Sequence, residues 1–420
     1  MITIPFIYFT FLSFILYRKH KSIDLAVLVS LMFAVSGFIS ILLDVQDQEK
    51  IENIGTYCHD ISLLPALSYC FLLTICIIPI SKINIDCIKL QPIRNVSLCK
   101  ILAVVVIVWF LSSTIMARND LARALIVDNM VDNRADLYAG IEVNTRMSFL
   151  PMPIKMIYAL LNYIFSSPWV LLFLGFYSLV ASHVQLKYSI CFLIASLNGP
   201  IDGIIGADRS QVAYWIIAFI FIYRLFYWHI PNKIKKNINV FTVILLSALV
   251  CYLAAMTFSR FDDRLDSGGV MGSLVAYLGQ SYINFCYFFD NYQLPYHHWG
   301  IIFPFTSEYI FGVPAGGVLI QTEMSFLSKM FTGVFYTFIG HIMVGLGQFW
   351  AVFITLIYAL ITNISLSKFN YRRTTITIQN VYLGFAMVSV VALGLFGHYY
   401  AGVGKLFSVI VCYFLVKKLR

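Results

Sequence analysis

Two arginines one helical turn apart, Arg260 and Arg264, are placed to bind an anionic ligand. They stand in the run TFSRFDDRLDSGG, directly after an apolar segment that ends near Phe258. A guanidinium group presents a planar fork of donors that matches phosphate and carboxylate. Because residues i and i+4 share one face of a helix, the pair can clamp one phosphate group. The alternative is that these arginines form ordinary salt bridges within their loop.

A second candidate anion site follows the apolar run that ends in ASLNGPIDGIIG. The glycines and the proline of this run predict a helix that breaks within residues 198–206. Asp208 and Gln211 then form a capping pattern that predicts the start of the next helix. Arg209 would lie beside the N–H groups of that helix N-terminus, and the two together favour an anion. An ordinary turn between two helices is the plainer interpretation.

An aromatic run, GSLVAYLGQSYINFCYFFDNY, offers another kind of ligand contact. Tyr282 and Asn284 represent its aromatic faces and polar groups, which together can line a groove for a lipid-linked sugar. The run is too polar for a comfortable membrane span and is typical of an interfacial helix whose aromatic side lies among headgroups. An aromatic belt that binds no ligand is the alternative. Pro295, Pro304 and Pro314 follow and predict a re-entrant or surface-lying segment.

Two segments between apolar runs, 117–153 and 259–334, exceed the length of simple connectors and are predicted to be functional loops. Arg260, Arg264 and the aromatic run belong to the second, whereas Arg209 lies between the two segments. The first begins with a helical pattern and offers Arg118 as a further anion-binding residue, unless its charges only pair with one another. A histidine inside an apolar run, His341, is a functional candidate by its position, although such a residue also bridges helices by hydrogen bonding.

The elements that position these residues are predicted to be membrane-spanning helices. The 420 residues are 60% hydrophobic and 12% charged, with a mean hydropathy of +0.83, so the bilayer must act as the solvent. We predict an all-α, polytopic integral membrane protein with about eleven transmembrane helices in a single transmembrane domain, 1–420. The predicted spans are 2–17, 24–43, 61–80, 99–116, 166–182, 188–205, 211–227, 239–258, 335–362, 379–396 and 403–416.

The distribution of basic residues predicts the orientation of these spans. One side holds eighteen basic and two acidic residues, which divides the net charge of +9 into +16 on that side and −7 on the other. Lysine and arginine collect in cytoplasmic loops, so the N-terminus is predicted outside and the C-terminus in the cytoplasm. Seven of the eleven outer cations are arginine, which favours an anionic ligand on the outer face. The positive net charge follows from this topology and is no evidence for nucleic-acid binding, so no nucleic-acid partner is predicted.

Nine cysteines are scattered without CxxC or His/Cys spacing, so they are interpreted as apolar packing residues and no cofactor or metal site is predicted from them.

Three places in the chain resemble the oligosaccharide repeat-unit polymerases of bacterial envelopes, the Wzy-like O-antigen and capsule polymerases. They are Gly206-Ala-Asp-Arg209-Ser; Ser259-Arg260-Phe261 with the later Tyr277-Leu-Gly-Gln-Ser-Tyr-Ile-Asn284-Phe; and Phe335-Tyr-Thr-Phe-Ile-Gly340 with Gly345-Leu-Gly347. The paired Arg-x(10)-Gly pattern of some members is absent, since neither Arg260 nor Arg264 has glycine at that distance.

The resemblance implies a GT-C-like membrane glycosyltransferase of the inner membrane with a large periplasmic loop. Its partners would be an undecaprenyl-diphosphate-linked glycan donor and acceptor, membrane lipid and a chain-length regulator. The reaction would move the growing glycan from its carrier onto the next lipid-linked repeat unit, with no metal. Arg209, Arg260 and Arg264 would neutralise the diphosphate leaving group.

The acceptor hydroxyl in such a reaction must give its proton to a general base. The candidates are Asp263, His297, Glu308 and His341. Asp262, Asp263 and Asp266 can instead hold a divalent metal, because hard cations take carboxylate ligands.

Two other functions share these features. An O-antigen ligase, which moves finished glycan onto the lipid A core, differs only in its acceptor. A flippase for lipid-linked oligosaccharide would be expected to place charges in mid-membrane helices, whereas the ionisable residues here lie mainly at span ends and in loops.

Overall fold

The computed structural model describes most of the chain outside the two long predicted loops. The described residues are 1–45, 56, 60–83, 89–124, 151–180, 184–206, 208–261, 269–295, 297, 325–328, 330, 335–370, 375–401 and 403–420. They form two compact units. Unit 1 comprises Met1–Asn84, Asp263–Tyr371 and Gly384–Val403, and unit 2 comprises Ile85–Asp262, Arg372–Leu383 and Gly404–Arg420.

The described helices of unit 1 are mainly apolar and range from 10 to 23 residues in length. They are α1 (Ile4–His20), α2 (Leu25–Asp44), α3 (Leu63–Ile80), α12 (Gly269–Asn291), α13 (Thr337–Leu346), α14 (Gln348–Leu366) and most of α15 (Ile378–Ala392). Asp24 starts α2 as an N-cap, because its carboxylate accepts the Val27 N–H at 2.9 Å. Short polar side chains thus set helix starts within an otherwise apolar sequence.

Helix α12 lies in the core of unit 1, where it packs on α2 and α3. Ser40 donates its hydroxyl to the Gly279 carbonyl at 2.6 Å, and the rings of Tyr69 and Tyr282 lie 5.0 Å apart. The aromatic side of α12 therefore packs against protein, in contrast to the predicted interfacial helix with that side among headgroups. The spacing of aromatic residues along the sequence does not distinguish a helix packed against protein from one that lies among headgroups, because one aromatic face is buried in either case.

The predicted span 335–362 consists of two helices, α13 and α14, which meet at Gly347. Gly347 has φ +88° and ψ 170°, a conformation that only glycine adopts without strain. The sequence placed this glycine inside one continuous span, although a glycine of this kind can end a helix.

Unit 2 contains two interrupted helical segments. The helices are α4 (Val96–Met116), α5 (Arg118–Ala124), α6 (Met152–Ile164), α7 (Pro168–Val180), α8 (Leu186–Ala195), α9 (Asn198–Ile205), α10 (Arg209–Phe226), α11 (Asn232–Phe261), the first turns of α15, and α16 (Val403–Leu419). Strand β1 (Lys89–Leu90) pairs in parallel with strand β2 (Thr375–Ile376). Helices α6 and α7 meet at an angle of 71°.

The structure confirms an all-α, polytopic membrane protein. Within the described residues, six helical segments are long and apolar enough to cross a membrane, and a seventh is present if the bent pair α6–α7 forms one span. The number eleven stays a prediction, as does the single transmembrane domain.

Candidate functional site

A polar cavity of about 380 Å³ lies in unit 2, where both interrupted helical segments meet. Irregular backbone within a membrane protein is expected only where it is buried in protein or lines such a cavity. The α6–α7 bend, helix α9, the start of α10 and the start of α16 contribute its walls. The lining residues are Asn162, Phe165, Ser166, Asn198, Gly199, Asp202, Gly206, Asp208, Gln211 and Lys405.

The predicted span 188–205 is interrupted, although not at the predicted residues, and its second part, α9, lines the cavity. Helix α8 ends at Ala195 and α9 begins at Asn198, so the interruption falls at residues 196–197. Ser196 accepts the indole N–H of Trp215 at 3.1 Å, which ties the interruption to α10. The interruption therefore precedes the predicted residues 198–206, and Gly199, Pro200 and Gly203, which suggested the break, lie within α9 itself.

Asp208 is the N-cap of α10, as the capping pattern predicted. Its Oδ1 accepts the backbone N–H of Ser210 at 2.9 Å and the hydroxyl of the same residue at 2.7 Å. This carboxylate is itself an anion at the helix N-terminus. A ligand anion at the start of α10 would therefore be repelled by the Asp208 carboxylate. Its binding would require cations nearby.

Lys405 supplies a cation in the cavity wall. Its ammonium group lies 5.3 Å from the centre of the Tyr214 ring, and Asp208 acts on it electrostatically. The start of α16 is fixed because Ser167 donates to the Lys405 carbonyl at 3.1 Å and Ser408 donates to the Ile164 carbonyl at 2.6 Å. Sequence reasoning missed Lys405, since 200 or so residues of sequence separate it from the rest of the cavity and no local pattern connects them.

Asn198 and Asp202 face each other along α9. The Asn198 side-chain N–H donates to Asp202 Oδ2 at 2.8 Å, and Ser113 donates its hydroxyl to Asn198 Oδ1 at 3.2 Å. A carboxylate only accepts, so this pair of bonds fixes which end of the Asn198 amide is the nitrogen. Asp202 is thus held by an amide that is itself held from α4.

The predicted arginines of unit 2 lie at helix ends. Arg209 is the first residue of α10, directly after Asp208, and is half-buried. Arg118 is exposed at the start of α5. Arg260 falls in the last turn of α11, and its side chain is outside the described part of the structure. Arg264, Asp263 and Glu308 lie outside the described residues, as do Asp262 and Asp266.

The remaining predicted site residues belong to unit 1. Tyr282 is buried and donates its hydroxyl to the Met1 carbonyl at 3.1 Å, and Asn284 is buried and donates to the Phe335 carbonyl at 3.1 Å. His297 is exposed, whereas His341 is 8% exposed. The roles assigned to all of these residues stay predictions.

His341 has a neighbour that sequence reasoning missed. The ring of His398 lies 6.1 Å from the ring of His341 and 6.3 Å from that of Tyr400. Thr337, at the start of the same helix, has φ +64°, which is strained for a β-branched residue. No group of three or more potential metal-ligating side chains occurs within the described residues.

Comparison with known families gives one partial match. The family described as the 4TM region of DNA translocase FtsK/SpoIIIE matches residues 195–288, less than a quarter of the chain. The matched part contains α9, α10, α11 and most of α12, and it supports the membrane assignment of these helices. No curated protein and no solved structure matches the chain.

Proposed function

We propose that this protein polymerises undecaprenyl-diphosphate-linked oligosaccharide repeat units into O-antigen or capsular polysaccharide, at the outer face of the bacterial inner membrane. The observation that carries the proposal is the position of the segment Gly206-Ala-Asp-Arg-Ser. Gly206 and Asp208 of this segment line the polar cavity, and Arg209 follows them at the helix start. The segment that resembles the polymerases thus borders a space where a polar ligand can bind.

The cavity has a suitable size and chemistry for part of a glycan. Ligand pockets commonly measure about 300–1,000 Å³ and combine apolar walls with a few placed polar groups. Amide, carboxylate and hydroxyl side chains, of the kinds found here, pair with sugar hydroxyls. Asn162, Asn198 and Gln211 supply the amides, and Phe165 supplies an apolar wall.

The leaving group of the proposed reaction is a diphosphate, whose negative charge must be neutralised as its bond to the anomeric carbon of the donor sugar breaks. Lys405 lies in the cavity wall, near the start of α16, and Arg209 lies at the border of the cavity, at the start of α10. Both residues belong to unit 2. The basic-residue distribution of the sequence predicts that these helix ends lie on the outer face. In this orientation the N-terminus is outside and the C-terminus is in the cytoplasm. As the resemblance to the polymerases implies, the proposed reaction needs no metal.

A null strain that carries variant genes tests this function. We expect the wild-type gene to restore long surface glycan and Arg209→Ala to leave mainly single repeat units, with Arg209→Lys intermediate because lysine retains charge but not the planar fork. Arg224→Ala is the matched control, since Arg224 lies in the last turn of the same helix.

The form of the defect separates the alternatives. Polymer that accumulates on its lipid carrier would indicate a ligase, and repeat units trapped on the inner face would indicate a flippase. Normal surface glycan in the null strain would reject all three functions, and normal chain length with Arg209→Ala would reject the role of this arginine.

A further inference from the structure

Two carboxylates, Asp202 and Asp208, are among the described residues that line the cavity of unit 2, and their surroundings differ. Asp208 accepts two hydrogen bonds from Ser210 and caps α10, so its position serves the helix start. Asp202 lies on the middle turns of α9 and accepts the amide of Asn198. A carboxylate has about four acceptor positions, so a ligand hydroxyl can bond to Asp202 while the Asn198 bond is kept.

Two amides of the cavity, Asn162 and Asn198, have fixed orientations. The indole N–H of Trp109 donates to Asn162 Oδ1 at 2.9 Å, and an indole only donates, so the Asn162 atom at this contact is its oxygen. The Asn162 nitrogen is then the donor that can serve a ligand in the cavity. Asn198 is oriented in the same way by Ser113 and Asp202. Fixed donors and acceptors of this kind distinguish one hydroxyl position of a sugar from another.

We propose that Asp202 is the general base that activates the acceptor sugar, with Asn198 as its positioning residue. This inference rests on the proposed polymerase function and names a base other than Asp263, His297, Glu308 or His341. Asp202 lies in a polar cavity that also contains a cation, whereas His341 lies among the rings of Tyr336 and His398.

The proposed step balances as a displacement at the anomeric carbon. The acceptor hydroxyl transfers its proton to the Asp202 carboxylate while its oxygen forms a bond to C1 of the donor sugar. The bond between C1 and the diphosphate oxygen breaks, and its electron pair leaves with the diphosphate. Lys405 is the cation of the same cavity that stabilises the departing charge. The substrates are the two lipid-linked glycans, and no oxidant or reductant is involved.

The test uses the full chain in proteoliposomes with undecaprenyl-diphosphate-linked repeat units extracted from the null strain. Asp202→Asn keeps the shape of the side chain but cannot take the proton, so we expect turnover to fall by about 10²–10⁴-fold while KM changes by a few fold. Asp44→Asn removes an exposed carboxylate at the end of α2 and is the matched control.

Chemical rescue separates a base from a structural residue. In Asp202→Ala, added formate is expected to restore part of the turnover, because it can enter the vacated space and accept the proton. A structural role would give no rescue. Melting temperatures of the variants in detergent identify any that fail to fold.

Two results would overturn the inference. One is Asp202→Asn turnover within about tenfold of wild type, and the other is a folded Asp202→Ala variant whose turnover formate does not restore. Both require an active wild-type protein, so they differ from failure of the proposed function, in which the wild type itself makes no polymer.

Discussion

The side-chain amide of Asn198 donates to the Asp202 carboxylate across 2.8 Å, one turn along the same helix. Ser113 fixes the other end of the amide from α4, at 3.2 Å. A residue held in this way can present a carboxylate in one orientation, which is what catalysis by a positioned group requires. The hydrogen bonds of Asn198 thus hold the Asp202 carboxylate of α9 in the cavity wall.

Replacement of Asn198 by alanine is expected to slow polymerisation by about tenfold, because Asp202 loses the hydrogen bond that orients it. Tenfold corresponds to about 1.4 kcal/mol of transition-state stabilisation. The measurement is kcat and KM in proteoliposomes, and the change should fall mainly on kcat. Asn291→Ala is the control, since Asn291 is an exposed amide bonded to its own helix at Tyr287. Unchanged kcat would exclude a positioning role for Asn198.

Replacement of Lys405 by methionine is expected to lower polymerisation by roughly 100-fold, as for other groups that stabilise developing negative charge. Methionine keeps much of the length of the side chain and removes its charge. Lys405→Arg should retain part of the activity. Lys417→Met, in the last turn of the same helix, is the control. Glycan chain length in the complemented null strain reports the effect, and a Lys405→Met strain with normal chains would contradict it.

Replacement of Gly203 by alanine is expected to destabilise unit 2 by about 1–3 kcal/mol, the usual cost of overpacking. An added Cβ would lie 2.8 Å from the Asp208 carbonyl oxygen and 3.0 Å from the Gln211 Cβ, so α9 and α10 would have to separate. Gly206→Ala is the matched control, because among the described atoms its Cβ would meet only the Asp202 carbonyl oxygen, at 3.4 Å. The melting temperature in detergent should fall for the first variant and stay nearly constant for the second.

Replacement of Gly347 by alanine is expected to cost about 1–3 kcal/mol, because φ +88° with ψ 170° is a region that only glycine occupies without strain. Gly397→Ala provides the comparison in unit 1, since its added Cβ would come no closer than 4.0 Å to His341 Nδ1 among the described atoms. Equal melting temperatures for the two variants would show that the α13–α14 junction does not depend on this glycine.

The sequence alone was enough to predict that this protein lies in a membrane and where most of its helices occur. Apolar runs of span length predict helices wherever they occur, because backbone groups in a bilayer must pair within their own segment. The cap at Asp208 was also predictable, since it follows from local backbone chemistry, whereas the helix interruption lies at residues 196–197, before the predicted 198–206.

Only the tertiary structure decided which polar groups meet. Asp202 and Lys405 line one cavity although they are distant in sequence, and the surroundings of Tyr282 are protein where the sequence predicted headgroups. An apolar or aromatic helix face shows that something must cover it, but its pattern is the same whether lipid or another helix does so. The side chains that gather at a helix break are likewise set by the packing of distant segments, which no local spacing records.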